Sequence, residues 1–207
     1  PASGLSSGTD PNMVSLDTPV LFLLFNRPDT TAQVFDCLRA ARPRRLFLAA
    51  DGPRPTVPGD RELCAQARAI ATRVDWPCDV QTLFRNENLG CGRAVSGAID
   101  WFFAAVDDGI ILEDDCLPDP TFFRFCAELL ERYRHDTRIL HISGDNYQFG
   151  RQRTQYSYYF SRYNHIWGWA TWRRAWAHYD RDMRRWPAVR DGGWLTDVLG
   201  GDKRAVK

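Results

Sequence analysis

From Thr18 onward, short apolar runs alternate with amphipathic stretches, and this alternation constrains the fold more than any other feature of the sequence. The first run, residues 19–25, is continuously apolar, as is typical of a strand buried on both faces of a sheet. Further strands are predicted at 45–50, 79–84, 109–112 and 139–142. Helices are predicted between them, the first of which has Asp29 as its N-cap. Strands that alternate with helices indicate an α/β fold with a mostly parallel, doubly wound sheet.

The chain length of 207 residues suits one domain with an appendage. Residues 1–17 are rich in Ser, Gly and Asp and show no periodicity, so we expect a flexible N-terminal tail. Residues 18–207 are predicted to form a single domain.

Composition points to neither a nucleic-acid partner nor a transmembrane segment. The 27 Lys and Arg nearly balance the 26 Asp and Glu, so the charge gives no indication of a nucleic-acid partner. No run approaches the roughly 18–20 apolar residues of a membrane span, so no transmembrane segment is expected. The basic clusters Arg42 to Arg45 and Arg173 to Arg174 leave two alternatives, namely a solvated surface and peripheral contact with a membrane.

The six cysteines are dispersed and form no C-x-x-C pair. A chain of this length does not need a disulfide scaffold, so we interpret them as reduced thiols. This interpretation favours the cytoplasm, including the inner face of the membrane.

Aromatic residues dominate the sequence after Asp145, and six of the eight tryptophans lie from Trp167 onward. Two interpretations remain open for Trp167, Gly168 and Trp169. The first is core packing, because aromatic side chains mostly bury apolar area. The second is a wall for a sugar or base, with the glycine allowing close approach of the backbone to a ligand.

Polar residues follow the predicted strands, at the edge where open α/β sheets bind ligands. Glu113, Asp114 and Asp115 directly follow a buried strand. Hard divalent cations neutralise such carboxylates, and Mg²⁺ or Mn²⁺ usually completes its shell with waters and diphosphate oxygens. The triplet therefore predicts a divalent cation together with a nucleotide diphosphate, with a solvated acidic turn as the alternative.

Five short strings carry a resemblance to a known family; they are Leu24-Phe25-Asn26-Arg27-Pro28, Ala50-Asp51-Gly52, Asn86-Glu87-Asn88-Leu89-Gly90, Glu113-Asp114-Asp115 and Trp167-Gly168-Trp169. The acidic triplet looks like the D-x-D-type motif, in its E-D-D form, of nucleotide-sugar glycosyltransferases with the GT-A fold. The chain most resembles the bacterial nucleotide-diphospho-sugar transferases that are distantly similar to the GlcNAc-transferase initiating complex N-glycans. The resemblance covers about residues 18–186 and implies a GT-A-like (Rossmann-like) α/β fold with an aromatic-rich C-terminal segment on the acceptor side.

The resemblance also implies roles for individual residues. Asp115 would ligate the metal, while Glu113 and Asp114 would hold the ribose and metal-bound waters. Asp51 would accept a hydrogen bond from the base, and Arg27 would lie against the nucleotide. The alternatives for these two are a turn residue and a surface charge.

The segment from Asn88 through Gly90 to Arg93 opens a predicted helix, so its amides would face an anion and Arg93 would add charge. A plain glycine-rich loop fits this segment equally well.

The implied reaction moves a sugar from a nucleotide-diphosphate donor to an acceptor hydroxyl. By resemblance alone, a UDP-sugar and inversion are favoured, and the acceptor is a glycan, a lipid-linked molecule or a small molecule. In the family an Asp beside a Trp, downstream of the Trp-Gly-Trp segment, serves as the base. The sequence offers no such pair before Lys207, so we expect a domain truncated at its C-terminus and assign no base.

Two residues outside these strings have open interpretations. Asp145, after the fifth predicted strand, is a candidate for substrate contact or a turn residue. His141 is read as a core or hydrogen-bonded residue rather than a ligand.

Two other classes of function stay open. One is a non-catalytic sugar- or nucleotide-binding protein on the same fold. The other is a nucleotidyltransferase, which is disfavoured because Asn26-Arg27-Pro28 follows the first strand where a glycine-rich phosphate loop would be expected.

Overall fold

The computed structural model describes residues 15–152 and 154–198. Contacts divide the chain into two compact units, one up to Ala177 and one from His178. Most of the predicted tail, residues 1–14, lies outside the described residues, and its last part is attached to the fold because Leu16 forms a parallel bridge with Pro43.

The first unit is built on one six-stranded sheet with the order β3-β2-β1-β4-β6-β5. Its strands are β1 (Val20–Leu24), β2 (Arg45–Ala50), β3 (Asp79–Phe84), β4 (Asp108–Glu113), β5 (Ile142–Ser143) and β6 (Trp169–Trp172). The first four strands in this order are parallel, and β6 runs antiparallel to both β4 and β5. The predicted α/β class with a mostly parallel sheet is confirmed.

Helices cover both faces of the sheet. In the first unit they are α1 (Pro28–Ala41), α2 (Asp60–Ala71), α3 (Cys91–Ala105), α4 (Thr121–Arg132) and α5 (Arg173–Trp176). Side chains of α1, α2 and α4 form one core layer, and α3 packs on the opposite face. The second unit contains α6 (Trp186–Asp191) and α7 (Trp194–Val198).

The central strand shows why the apolar run folds this way. Successive side chains of a strand point to opposite faces of the sheet. Accordingly Val20, Phe22 and Leu24 join the core layer on the side of α1, whereas Leu21 and Leu23 join the layer beneath α3. Every residue of β1 is buried, so an unbroken apolar sequence is required.

The predicted fifth strand at 139–142 is wrong in its bounds, because only Ile142 and Ser143 pair with β6. The backbone before them is bonded elsewhere. The amide of Ile139 donates to Asp136, and the carbonyl of Ile139 accepts from the Arg174 guanidinium.

The aromatic segment contains a strand that the sequence did not indicate. All four residues of β6 are buried between β4 and β5. The sequence of β6 does not alternate between polar and apolar residues, because the strand is covered on both faces. The alternation that identifies a half-exposed strand was therefore lacking.

The predicted N-cap of α1 is also wrong. Pro28 is the first helical residue, Arg27 occupies the N-cap, and Asp29 lies in the first turn. Proline at the start of a helix loses no hydrogen bond, and its fixed φ suits the helix.

No helix in the described part of the chain is both long enough and apolar enough to span a bilayer. The six cysteines are free thiols.

Candidate functional site

The acidic triplet meets Arg27 where two neighbouring strands end. β1 and β4 are adjacent and parallel, so the residues that follow them lie at the same edge of the sheet. Arg27 Nη2 lies 2.6 Å from Asp114 Oδ1, and Nη1 lies 2.7 Å from Asp115 Oδ2. One guanidinium therefore pairs with two carboxylates of the triplet.

Asp114 is an anchor within this cluster. Its side chain is 2% exposed, and its Oδ2 accepts a hydrogen bond of 2.9 Å from the amide of Phe25. Both oxygens of the carboxylate are thus engaged by the chain itself. Buried charges are tolerated when they are paired and hydrogen-bonded in this way.

Burial controls the charge state of the cluster. Burial raises the pKa of Glu113, and the neighbouring Asp115 and Asp114 charges raise it further. Burial also raises the pKa of Asp114, although the Phe25 amide and Arg27 oppose this change. Glu113 and Asp114 therefore resist ionisation unless more positive charge is brought to them.

The residues present fit a cation that arrives with its own oxygen ligands. Among the residues described, no group of three His, Cys, Asp or Glu side chains could hold a metal ion. Asp115 is 46% exposed, whereas Asp114 is buried and fully engaged. Since Mg²⁺ is commonly held by one or two carboxylates plus phosphate oxygens, Asp115 is the residue here that would hold it.

Asp51 ties together the loops that follow β2 and β3. Its carboxylate accepts hydrogen bonds from the amides of Leu89, at 3.0 and 3.1 Å, and Gly90, at 3.0 Å. Asn88 Nδ2 donates to the carbonyl of Gly52 at 2.7 Å. The structure thus brings Asp51, Asn88 and Gly90 together, and the contact of Asp51 with a base stays a prediction.

This arrangement also affects the predicted anion loop. The amides of Leu89 and Gly90 point to Asp51, so they are not available to an external anion in this conformation. Gly90 adopts φ +79°, which favours glycine. Arg93 is exposed in the first turn of α3.

A large cavity of about 1270 Å³ adjoins the acidic cluster. Asp115, Asp145, Trp167 and Gly168 all contribute to its lining. Two separately predicted groups, the acidic triplet and the tryptophan segment, are thereby brought to one site. Asp51, Asn88, Gly90 and Arg93 do not line this cavity.

The two tryptophans of the predicted wall have different environments. Trp167 is 65% exposed at the cavity, whereas Trp169 is buried in β6 and packs with the core layer beneath α3. His141 stacks on Trp169 with ring centroids 4.7 Å apart, and its Nε2 donates to the carbonyl of His165 at 2.7 Å. These contacts support the interpretations of Trp169 as core and of His141 as a hydrogen-bonded residue.

Asp145 is more prominent in the structure than in the sequence. Ile111, Trp169 and Ser143 are in register across β4, β6 and β5. Glu113 and Asp145 each come two residues after this row, and β4 and β5 run in the same direction, so both lie toward the same edge of the sheet.

Hydrogen bonds fix one oxygen of the Asp145 carboxylate and leave the other open. Its Oδ2 accepts from Ser143 Oγ at 2.9 Å and from the Trp167 amide at 3.3 Å. Its Oδ1 has no hydrogen-bond partner among the residues described. A carboxylate fixed on one oxygen and open on the other is suited to accept a proton from a bound molecule.

No protein-family model and no curated protein matches the chain. The proposed function therefore depends on the residues, their geometry and the resemblance carried by the five short strings.

Proposed function

We propose that the protein is a glycosyltransferase of GT-A type that moves a sugar from a nucleotide-diphosphate donor, with a UDP-sugar favoured, to an acceptor hydroxyl. The observation that carries the proposal is the cavity in which Asp115 of the acidic triplet, Asp145 and Trp167 meet at one edge of the sheet. A sugar transfer needs the donor, the acceptor and a catalytic base at one place. The six free thiols favour the cytoplasm for this reaction.

The donor diphosphate is assigned to the acidic edge. Asp115 would hold a divalent cation, Mg²⁺ or Mn²⁺, and the Arg27 guanidinium lies beside it to bind phosphate oxygens. When bound, such a cation would neutralise the negative charge that develops on the leaving diphosphate. Asp51 lies at the end of β2, with Asn88 beside it. We assign these two residues to the binding of the nucleobase of the donor.

The acceptor is assigned to the aromatic side of the cavity. Trp167 offers an exposed ring, and faces of such rings stack on the apolar faces of sugars. Gly168 has φ +78°, and a Cβ there would contact Leu112 and Phe122. Gly168 also lines the cavity, and a glycine there leaves the backbone without a side chain of its own.

Asp145 is the carboxylate we assign as general base. Of the residues that the structure describes, two other acids line the cavity. Asp115 pairs with Arg27, and Asp119 accepts hydrogen bonds from the amide and hydroxyl of Thr121 at the start of α4. Asp145 would take the proton of the acceptor hydroxyl through Oδ1. The acceptor oxygen would then attack the anomeric carbon as the bond to the diphosphate breaks, which gives inversion.

The test is UDP release and product formation with a panel of UDP-sugars and sugar acceptors, for wild type, Asp145→Asn and Asp115→Asn. The proposal predicts that Asp145→Asn binds UDP as wild type does and loses turnover at least about 100-fold. Asp107→Asn is the matched control, since Asp107 is exposed at the opposite end of β4. Binding of UDP without product by wild type would instead favour a non-catalytic nucleotide-binding protein.

A further inference from the structure

A buried carboxylate outside the acidic triplet connects the loops that follow β1 and β2. Asp60 is the first residue of α2 and is 1% exposed. Its Oδ1 accepts a hydrogen bond of 2.6 Å from Asn26 Nδ2, and its Oδ2 accepts one of 2.7 Å from the amide of Arg54. Asn26 belongs to the loop after β1, whereas Arg54 belongs to the loop after β2. Asp60 therefore joins two loops that lie at the edge of the sheet assigned to the donor.

Asp60 is ionised and is neutralised by the chain itself. The Arg54 guanidinium donates to it through Nη2 at 2.8 Å and through Nε at 3.2 Å. The hydrogen bond from Arg54 lowers the pKa of Asp60 to about 2, so the carboxylate is charged at neutral pH. Hydrogen bonds to a charged acceptor are stronger than those between neutral groups. The contact of Asp60 with Asn26 is therefore a strong attachment for the loop after β1.

Arg54 contacts the loop after β1 a second time. Its guanidinium lies 5.3 Å from the centroid of the Phe25 ring, which is within the range of a cation–π contact. Phe25 and Asn26 are consecutive residues, so Asp60 and Arg54 together hold two neighbouring positions of this loop.

The two neighbours of Asn26 are residues that contact Asp114. On one side, the Phe25 amide donates to Asp114 Oδ2 at 2.9 Å. On the other side, Arg27 Nη2 lies 2.6 Å from Asp114 Oδ1. Asn26 is therefore the point at which Asp60 can hold both neighbours against the acidic triplet.

Arg27 needs support from the backbone that carries it. Its side chain is 48% exposed, and holding a long exposed side chain in one place costs conformational entropy. Its guanidinium contacts Asp114 and Asp115, and in the proposed function it also binds phosphate oxygens. Binding groups need to be held within about 0.5 Å of their productive positions. A displaced loop would therefore move the guanidinium out of reach of one of these partners.

We propose that Asp60 and Asn26 are positioning residues, which hold the loop after β1 so that Arg27 meets both the acidic triplet and the donor diphosphate. Arg54 lies three residues after Asp51, so the same carboxylate also fixes the spacing between the diphosphate and nucleobase parts of the donor site. Neither positioning residue is assigned a contact with the donor. The effect on donor binding rests on the proposed function, whereas the effect on the loop does not.

The test uses the full chain with the substitution Asn26→Ala. It removes the contact with Asp60 and leaves the three hydrogen bonds from Arg54 in place, so the variant should fold. Gln81→Ala is the matched control. The Gln81 amide donates to Asp79 Oδ2 at 3.5 Å on β3, so this substitution also removes an amide that contacts an aspartate.

The first measurement is hydrogen exchange of the Phe25 amide, followed by NMR without any ligand. This amide reports on the loop because its acceptor is Asp114. We expect exchange to be about tenfold faster in Asn26→Ala than in wild type, and unchanged in Gln81→Ala. Unchanged exchange in Asn26→Ala would overturn the proposal, whatever the protein binds.

The second measurement is calorimetric titration of UDP in the presence of Mn²⁺. We expect Asn26→Ala to bind UDP about tenfold more weakly than wild type, and Gln81→Ala to bind it as wild type does. In an Arg27→Gln background, Asn26→Ala should cause no further loss, because it acts through Arg27. A general loosening of the fold would instead weaken binding equally in both backgrounds, and that result would overturn the proposal.

The two proposals fail in different ways. If wild type binds no nucleoside diphosphate, the proposed function fails, while the exchange of the Phe25 amide still decides whether Asn26 holds the loop. If wild type binds UDP and Asn26→Ala binds it equally well, the positioning role alone fails.

Discussion

The Arg27 guanidinium lies 2.6 Å from the carboxylate of Asp114, which is almost fully buried. This contact joins the residue after β1 to the residue after β4. Removal of Arg27 would leave the buried Asp114 carboxylate without its partner. An unpaired buried charge strongly destabilises a folded protein. The ion pair therefore fixes the edge of the sheet at which the site lies.

We predict that Arg27→Gln lowers the free energy of unfolding by about 2 kcal/mol, less than for a fully buried pair because Arg27 is half exposed. Chemical denaturation by urea measures the change. Arg124→Gln is the control, since it breaks an exposed pair with Glu128 and should cost less than about 0.5 kcal/mol. Equal effects of the two substitutions would contradict the anchoring role of Arg27.

Alanine substitution at two glycines near the loops around Asp51 should change the stability of the protein in opposite directions. A Cβ at Gly52 would lie 2.3 Å from the carbonyl carbon of Glu87, whereas a Cβ at Gly92 would have nothing within 4 Å. We expect Gly52→Ala to cost about 2 kcal/mol or more, because backbone must shift. Gly92→Ala lies in the first turn of α3 and should gain about 0.5 kcal/mol. Thermal unfolding of both variants checks this, and a tolerated Gly52→Ala would show that the two loops are not in close contact.

The pH dependence of stability should report on Glu113. Burial raises the pKa of Glu113 in the folded protein, so the folded state holds this proton at pH values where the unfolded state has lost it. Stability from this group is complete below the ordinary pKa of 4.5 and is lost as the pH rises through the folded value. Glu113→Gln should therefore be more stable than wild type at neutral pH, and the difference should vanish near pH 4.

Glu131 provides a control of opposite sign. Hydrogen bonding to Arg134 lowers the pKa of Glu131, so its contribution is present above the ordinary pKa and is lost as the pH falls through the folded value. Glu131→Gln should be less stable than wild type at neutral pH. Melting temperatures between pH 4 and 8 measure both variants, and the same sign for both would refute this assignment of charge effects.

Much of the sheet was predictable because it is governed by local patterns. The bounds of β2 and β3 match their predicted ranges, residues 45–50 and 79–84. For β2, an apolar run followed by Asp51 and Gly52 was sufficient. β6 was missed because its four residues are buried on both faces in an antiparallel position, and no sequence period distinguishes such a strand from an aromatic core segment.

The candidate site was predictable in its positions and less so in its contacts. That polar residues after β1 and β4 would meet follows from parallel pairing alone. Other contacts depend on tertiary geometry. They are the ion pairs of Arg27 with two carboxylates and the three hydrogen bonds that the Leu89 and Gly90 amides donate to Asp51. The position of Asp145 at the same edge as Glu113 depends on β6, which lies between β4 and β5, so it could not be predicted before that strand was known.

Calorimetric titration of UDP into the full chain, with Mn²⁺ and then with excess chelator, tests the nucleotide-diphosphate site most directly. The proteins to compare are wild type, Asp115→Ala and the control Asp107→Asn. We predict chelator-sensitive binding by wild type and by Asp107→Asn, and loss of that binding in Asp115→Ala. Absence of binding by folded wild type to UDP or any other nucleoside diphosphate, or undiminished binding by Asp115→Ala, would contradict the proposed site.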